Sequence, residues 1–198
     1  FGKLWLTTVF ASQRSQRQST AFKGGSTSMP FEIKADEYEE NRHFLLAQHF
    51  RREFNKGMKN LPVVNSQVQL LRLEVWVTNR YGTTTNARDV VGLMDLGEDK
   101  PYQQPPVINP RPGATYPSNQ SNDLYSRITS SPNSRNPAQV VNFMNSIGLQ
   151  PIRDFEKTFA RKLDSSQYYF NRQLGFISLN VTLQPDEVLG VAYQYTVN

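Results

Sequence analysis

The stretch Val68-Gln69-Leu70-Leu71-Arg72-Leu73-Glu74-Val75-Trp76-Val77-Thr78-Asn79 decides how this chain folds. Apolar and polar residues alternate along it with a period of two, and many of its side chains are β-branched or aromatic, so the pattern predicts a β-strand. At roughly 3.3 Å per residue the strand would be about 40 Å long. A strand of this length is usually central in its sheet, because a long apolar edge invites aggregation.

The alternation gives the strand two different faces. The face that we expect to be buried carries the apolar side chains Leu71, Leu73, Val75 and Val77. The opposite face carries the side chains Arg72, Glu74, Trp76 and Thr78. For this second set a solvated sheet face is the favoured interpretation, and a binding platform is the alternative. We therefore treat it as the candidate interaction face.

The composition indicates a polar globular chain. Of its 198 residues 37% are hydrophobic, the mean hydropathy is −0.58, and the net charge of +5 favours acidic partners only weakly. Cysteine is absent, which excludes disulfides, thiolate metal sites and a cysteine nucleophile. No apolar run approaches the ~20 residues of a membrane-spanning helix. Both ends of the chain look cut, so we expect a soluble piece of a longer polypeptide.

The residues before the strand are predicted to be mainly helical. Residues 1–30 contain a short strand pattern followed by a polar connector at a cut boundary. Residues 34–58 have acidic residues in the first turns, basic residues in the last turns and an apolar stripe, which predicts one long amphipathic helix. We expect Phe50 and Phe54 of this helix to pack on the apolar face of the strand.

The residues after the strand are predicted to form further strands and two short helices. Residues 88–96 are extended and should form a β-hairpin with residues 68–78, with a helix over residues 86–96 as the alternative. A Pro-rich stretch follows and is either a linker or a loop pinned across one domain. Asn122 and Asn136 are the expected caps of the two short helices. The last fifty residues alternate in short strands joined by turns, which predicts an antiparallel meander.

Together these patterns predict an α+β fold. It has antiparallel sheets, one long amphipathic helix, two short helices and a C-terminal β-meander. Residues 31–99 form a helix plus β-hairpin subdomain, and residues 100–121 form a Pro-rich loop. Residues 122–198 form the two short helices and the meander, which we expect to pack with residues 31–99 as one domain.

The sequence carries none of the patterns on which catalysis or cofactor binding depends. There is no Ser/His/Asp set, no Gly-rich phosphate loop and no metal-ligand spacing. His43 and His49 are the only histidines, and six residues apart on a helix they do not share a face, so we interpret them as structural or surface residues. We expect no enzyme activity, no catalytic residue, no cofactor and no metal.

Several strings carry a family resemblance. Residues 36–51 read Asp-Glu-Tyr-Glu-Glu-Asn-Arg-His-Phe-Leu-Leu-Ala-Gln-His-Phe-Arg, residues 74–79 Glu-Val-Trp-Val-Thr-Asn, and residues 94–98 Met-Asp-Leu-Gly-Glu. With the strings at residues 154–163, 173–180 and 184–193, in this order and over nearly the whole chain, they resemble the SprA (Sov) family, the outer-membrane translocons of type IX secretion. The Pro-rich stretch resembles the family least.

The resemblance implies a role in protein export and gliding motility in a Gram-negative bacterium. The parent would span the outer membrane as a very large β-barrel, and this chain would be a soluble, non-enzymatic domain on the periplasmic side, outside the cell or in the barrel lumen. Its implied partners are other parts of the same large chain, secretion-system proteins and secreted cargo. The family provides no catalytic residues to transfer.

Two other functions remain open from the residues alone. The first alternative is an autonomous glycan- or peptide-binding module that uses the Trp76 face. A nucleic-acid surface ranks third and we expect no nucleic-acid partner, because the tyrosines lie in strand patterns where packing already accounts for them.

Overall fold

A computed structural model describes residues 32–80, 82, 85–102 and 107–197 of the chain. The chain divides into two compact units, Phe1–Tyr38 and Glu39–Asn198. In the first unit the described residues contain a 3-10 helix, Ala35–Glu37, and the backbone N–H of Lys34 donates to the Glu37 carboxylate at 3.3 Å. The strand and connector predicted for residues 1–30 lie outside the described residues.

The second unit has the predicted α+β fold with antiparallel sheets. Its described strands are β1 (His43–Leu45), β2 (Val68–Thr78), β3 (Ala87–Leu93), β4 (Phe155–Lys162), β5 (Tyr168–Asn171), β6 (Phe176–Leu179) and β7 (Leu189–Val197). Its described α-helices are α1 (Gln48–Gly57), α2 (Leu124–Thr129) and α3 (Val140–Ser146). Two 3-10 helices, Pro132–Arg135 and Ser165–Gln167, complete the described elements of this unit.

Strand β2 lies inside a four-stranded antiparallel sheet of order β3-β4-β2-β7. It pairs with β7 over nearly its whole length, from Val68 opposite Val197 to Val77 opposite Leu189, and with β4 at its C-terminal end. A second sheet of three strands has the order β1-β6-β5. The prediction that residues 68–79 form a central strand is therefore confirmed over Val68–Thr78.

The predicted hairpin between residues 68–78 and 88–96 is wrong. β3 pairs along its length with β4, from Ala87 opposite Arg161 to Leu93 opposite Phe155, so that β4 separates it from β2. This order places Leu93 beside Phe155, and both side chains join one hydrophobic cluster with the helices. Packing between residues that are distant in sequence, rather than the short Gly-containing loop, determines which strand β3 pairs with. The predicted strand itself is confirmed over Ala87–Leu93.

The single long helix predicted for residues 34–58 is wrong in its first half. Helix α1 begins only at Gln48. Asn41 has a φ of 52°, a left-handed conformation that a right-handed helix cannot pass through. The residues that follow form β1, which pairs with β6 through Phe44 opposite Ile177. Tertiary pairing has overridden the local helical pattern. The acidic residues that precede α1 therefore lie outside its first turn: Asp36, Glu37, Glu39 and Glu40.

A β-bulge in β2 changes which side chains of its first half are buried. The register against β7 shifts between Leu70 and Arg72. Leu70 is fully buried, whereas Leu71 is 51% exposed. The extra residue reverses the alternation at this point, so the expectation that Leu71 joins the buried face is wrong. Beyond the bulge the predicted buried face is confirmed for Leu73, Val75 and Val77.

The main hydrophobic core is formed by the two sheets and α1. It combines buried side chains of β2 and β6 with Phe50 of α1, as expected. Phe54 instead packs edge-on against Phe176, with ring centroids 6.4 Å apart. A second core joins the helices to β4 through the buried residues Ile108, Leu124, Val140, Met144, Leu149 and Phe155.

The described part of the Pro-rich segment, residues 107–121, is packed on the second unit. Ile108 is only 1% exposed and lies in the second core. Tyr116 packs on the main core, and its hydroxyl donates to the side-chain oxygen of Gln67 at 2.6 Å. These contacts make residues 107–121 a pinned loop rather than an open linker.

The short helices and the C-terminal strands lie where the sequence predicts them. The side-chain oxygens of Asn122 and Asn136 accept the N–H groups of Leu124 at 2.9 Å and Ala138 at 3.0 Å. The predicted caps are nevertheless displaced, because the N-terminal caps of α2 and α3 are Asp123 and Gln139. β5 and β6 form the expected hairpin. The meander is not continuous, however, because β4 and β7 flank β2 in the larger sheet.

Gly175, in the β5–β6 turn, is the position where we expect the fold to tolerate a side chain least. Its φ is 64°, and a Cβ built there would lie 2.1 Å from a ring carbon of Phe50. Gly175→Ala should therefore lower the free energy of unfolding by about 3 kcal/mol, through left-handed strain and overpacking of the core. Urea denaturation measures this loss.

The matched control is Gly82→Ala. Gly82 has the same φ of 64°, and apart from its chain neighbours no described residue has a heavy atom within 4 Å of the added Cβ. This variant should lose only about 1 kcal/mol, from backbone strain alone. Equal losses in the two variants would contradict the close packing of the turn on α1.

Candidate functional site

The four residues predicted as an interaction face do lie on one face of the larger sheet. Arg72, Glu74, Trp76 and Thr78 alternate with the buried residues of β2 beyond the bulge. Lys162 of β4 lies opposite Trp76 on one side, and Gly190 of β7 lies opposite it on the other. Because paired residues share a face, this surface extends across the sheet.

Trp76 lies among cationic side chains. The Arg88 guanidinium is 4.3 Å from the Trp76 ring centroid, and the Lys162 ammonium is 6.0 Å from it. Cations over an indole face are attracted by its quadrupole, so Arg88 is held over the ring. Trp76 is half-buried as a result. We name Arg72, Glu74, Trp76, Arg88 and Lys162 the Trp76 face.

Glu74 balances part of this positive charge. Its carboxylate accepts hydrogen bonds from Lys162 at 2.9 Å and from Arg72 at 2.8 Å. The hydrogen bond from Lys162 makes the largest contribution to holding the pKa of Glu74 below its usual value, and Arg72 adds to it. The Trp76 face therefore carries three cationic side chains and one carboxylate, all on the outer side of the sheet, and its excess charge is positive.

Thr78 has a structural role at the end of this face. Its hydroxyl accepts the backbone N–H of Val188 at 3.1 Å and the hydroxyl of Thr158 at 3.3 Å. The side chain thus ties the start of β7 to β2. It offers less to a partner than its neighbours on the face.

Arg88 and Lys162 are members of the Trp76 face that sequence reasoning missed. They come from β3 and β4 and reach Trp76 only because β4 pairs with both β2 and β3. The alternating pattern of residues 154–163 predicted a strand, but it contained no signal for the neighbour of that strand. A local hairpin prediction could not bring these residues together.

A second polar feature is buried beneath the start of α1. The loop after β3 contributes three acidic residues, Asp95, Glu98 and Asp99, which are 1%, 6% and 5% exposed. Glu98 accepts the backbone N–H of Gln48, the first residue of α1, at 3.1 Å. Asp99 pairs with Arg52 of α1 at 2.5 Å. A carboxylate does stabilise the helix N-terminus, but it comes from fifty residues further along the chain.

Asn122 holds this acidic loop in place. Its side-chain amide donates to the backbone carbonyls of Asp95 at 2.9 Å and Glu98 at 3.0 Å, and the residue is fully buried. The same side chain also accepts from Leu124 at the start of α2. One amide thus connects the acidic loop to the helices.

The buried carboxylates of Glu98 and Asp99 are only partly hydrogen-bonded. Glu98 Oε2 and Asp99 Oδ1 have no hydrogen-bond partner in the described structure. Burial, together with the nearby charges of Asp99 and Asp95, raises the pKa of Glu98 to about 7. Burial likewise raises the pKa of Tyr193, and the nearby charge of Glu98 raises it further. Glu98 is therefore a buried acid that can change its charge near neutral pH.

The histidines occupy different elements and have separate roles. His43, in β1, is exposed, and its ring contacts Ser178 Oγ at 2.8 Å and Glu39 at 2.6 Å. His49, in α1, is buried against the ring of Tyr116, with centroids 5.4 Å apart, and burial lowers its pKa. Among the described residues no group of three or more His, Cys, Asp or Glu side chains is arranged to hold a metal ion.

A groove of about 460 Å³ lies beside His49 and Asp99. Its other walls include the cations Arg52, Lys56 and Lys100, so the groove presents charges of both signs. This mixed lining favours neither an anionic nor a cationic ligand. The Trp76 face, with its single sign of excess charge, is the better defined candidate.

No protein-family model matches this chain, and no curated protein matches it either. Within the described part of the chain, every helix is too short or too polar to cross a membrane.

Replacing Glu98 by Gln should change how stability depends on pH. The folded pKa of about 7 lies above the ordinary value of 4.5, so the folded chain binds this proton more tightly and is destabilised as pH rises from about 5 to 8. Glu98→Gln should therefore be more stable than the wild type at pH 8, by up to roughly 3 kcal/mol, and similar at pH 5. Chemical denaturation at each pH measures the difference.

The pH dependence contributed by His49 does not affect this comparison. The lowered pKa of His49 makes the wild type and the Glu98→Gln variant less stable as pH falls below about 6.5. This contribution is the same in both proteins, so it cancels when their free energies of unfolding are subtracted. A stability difference that stays constant between pH 5 and 8 would contradict the buried, proton-binding state of Glu98.

Proposed function

We propose that this chain is a non-enzymatic, protein-contacting domain of an outer-membrane export translocon of the SprA type, which acts in type IX secretion and gliding motility. Two observations support the proposal: the ordered strings that resemble this family, and the open Trp76 face. The second observation carries the functional part, because a half-buried Trp with surrounding cations is typical of protein contact surfaces.

The strings that resemble the family coincide with residues on which the fold depends. Residues 94–98 form most of the buried acidic loop, and residues 173–180 contain Gly175, which packs on Phe50 of the first string. A resemblance carried by such residues is consistent with a shared fold as well as with shared local sequence. It supports the translocon proposal over a chance match.

In this proposal the domain contacts other parts of the same long polypeptide, secretion-system partners or exported cargo, and thereby supports or occludes the barrel. It belongs to the outer membrane of a Gram-negative bacterium, on the periplasmic side, outside the cell or in the lumen. The positive excess of the Trp76 face favours an acidic contact surface on the partner.

The first test is made in the full-length translocon. Deleting residues 34–197 should abolish export of cargo that carries the C-terminal signal, as measured by the secreted fraction. The double variant Arg72→Glu/Arg88→Glu should reduce export several-fold with the domain still folded, because it reverses the charge of the Trp76 face.

The matched control is Arg51→Glu/Lys59→Glu, which makes the same change in net charge at exposed positions in and just after α1. Export in this control should stay near the wild-type value. Unchanged secretion after the deletion would contradict the proposal, and equal defects in the two double variants would exclude the Trp76 face as the contact surface.

A glycan- or peptide-binding module is the second candidate function. The observation in its favour is that Trp76 is half-buried on an open sheet rather than part of a core. A sugar that stacks on the indole would have to displace the Arg88 guanidinium, which already lies 4.3 Å from the ring centroid. This competition makes a protein partner the better candidate. Binding to a glycan array that is lost in Trp76→Ala would reverse this order.

A further inference from the structure

Strand β7 forms one edge of the larger sheet. It pairs with β2 on one side and has no neighbouring strand on the other in the described part of the chain. With nine residues it is the longest described edge strand; β3, the other edge of this sheet, has seven, and the outer strands of the smaller sheet have three and four.

The pairing pattern identifies which backbone groups of β7 face outward. The N–H of Thr78 donates to the carbonyl of Val188 at 3.1 Å, so Gly190 and Ala192, two and four residues further along, also bond to β2. The residues that alternate with them, Val191 and Tyr193, then direct their N–H and C=O groups away from the sheet.

The other side of β2 agrees with this assignment. The carbonyl of Val75, which lies opposite Val191, accepts the N–H of Leu163 at 2.8 Å on the opposite edge of β2. The side chains of Val191 and Tyr193 pack on the main core, so their outward backbone groups are held in a fixed, extended row.

This edge lacks the features by which sheet edges usually avoid further pairing. Residues 189–197 contain no charged residue and no proline. The edge strand β3, by contrast, carries the adjacent charges Arg88 and Asp89. Long, uncharged edges with free backbone groups are the surfaces to which additional strands bind.

We propose that the free edge of β7 is a strand-addition site that binds an extended segment of a partner polypeptide. The backbone row of Val191 and Tyr193 provides the hydrogen bonds, for which only another extended backbone is complementary. This capacity does not depend on the translocon role.

The neighbouring side chains define the chemistry of the added segment. On the outer face β7 presents two small residues, Gly190 and Ala192, which leave room for large apolar side chains on the incoming strand, followed by Gln194. Next to them Arg72, which is opposite Gln194, has a side chain that is 71% exposed and that bonds to Glu74. The partner segment should therefore be apolar over Gly190 and Ala192 and acidic near Arg72.

Amide hydrogen exchange on the full chain tests this site. In the free protein the amides of Val191 and Tyr193 should exchange much faster than those of Gly190 and Ala192, which bond to β2. The probe is a capped peptide, Thr-Ile-Thr-Glu-Thr-Phe-Thr-Phe-Thr, designed to run antiparallel to β7 with its Glu beside Gln194 and its Phe residues beside Ala192 and Gly190. At ten times its Kd it should slow exchange at Val191 and Tyr193 by about tenfold.

Two controls separate strand addition from other contacts. N-methylation of the two probe Thr residues opposite Val191 and Tyr193 should abolish the protection. N-methylation of the Phe residues that alternate with them should preserve it, because the protein-facing N–H donors remain. Ala192→Lys, which places a charge on the edge without removing a ladder hydrogen bond, should raise the Kd several-fold. Val90→Lys, on the same face of the opposite edge strand, should leave it unchanged.

Three results would overturn the inference. Slow exchange at Val191 and Tyr193 in the free chain would mean that the chain itself occupies the edge. Equal protection by both N-methylated peptides would mean that the probe binds through its side chains only. No protection at millimolar peptide would mean that the edge does not accept a strand.

Discussion

Hydrogen bonding on both edges of β2 is the constraint on which the rest of this structure depends. β7 follows it from Val68 to Val77, and β4 takes its other edge at Trp76 to Thr78. On the side of β4 but nearer the start of β2, the N–H of Leu70 donates to the carbonyl of Arg172 at 2.8 Å, which connects the larger sheet to the smaller one. With both edges used, only its two faces remain for packing. One face forms the main core with Phe50, and the other is the Trp76 face.

Patterns of local chemistry were sufficient to predict much of this arrangement. The period of two identified β2, β4 and β7, and Asn residues shortly before α2 and α3 indicated where these helices begin, because such signals depend on neighbouring residues alone. Three features needed information from distant residues. β1 forms where the sequence pattern predicted a helix, because β6 provides a strand to pair with. β3 pairs with β4 because Leu93 and Phe155 share a core. The bulge that exposes Leu71 arises from the pairing of β2 with β7. For the same reason Arg72, Glu74 and Trp76 could be grouped from sequence, whereas Arg88 and Lys162 could not.

Charge is distributed in two contrasting ways in the second unit. The outer face holds its cations in solvent, where Glu74 neutralises part of the charge and the remainder is available to an acidic surface. The acidic loop holds its carboxylates in the interior, where Glu98 and Asp99 each have one oxygen without a hydrogen-bond partner among the described residues. Buried carboxylates are costly when charged, so this loop adds little to stability at neutral pH and instead fixes the start of α1 against the helices through Asn122. The functional surface and the positioning network are therefore separate.

β2 lies between β4 and β7, and this strand order brings the Trp76 face together from β2, β3 and β4. Cross-strand nuclear Overhauser effects between backbone protons test it most directly. With this strand order, we expect contacts from Trp76 to both Lys162 and Gly190, and from Val90 to Thr158. Contacts between residues 68–78 and Ala87–Leu93 in a local hairpin, with none from Trp76 to Lys162, would contradict it.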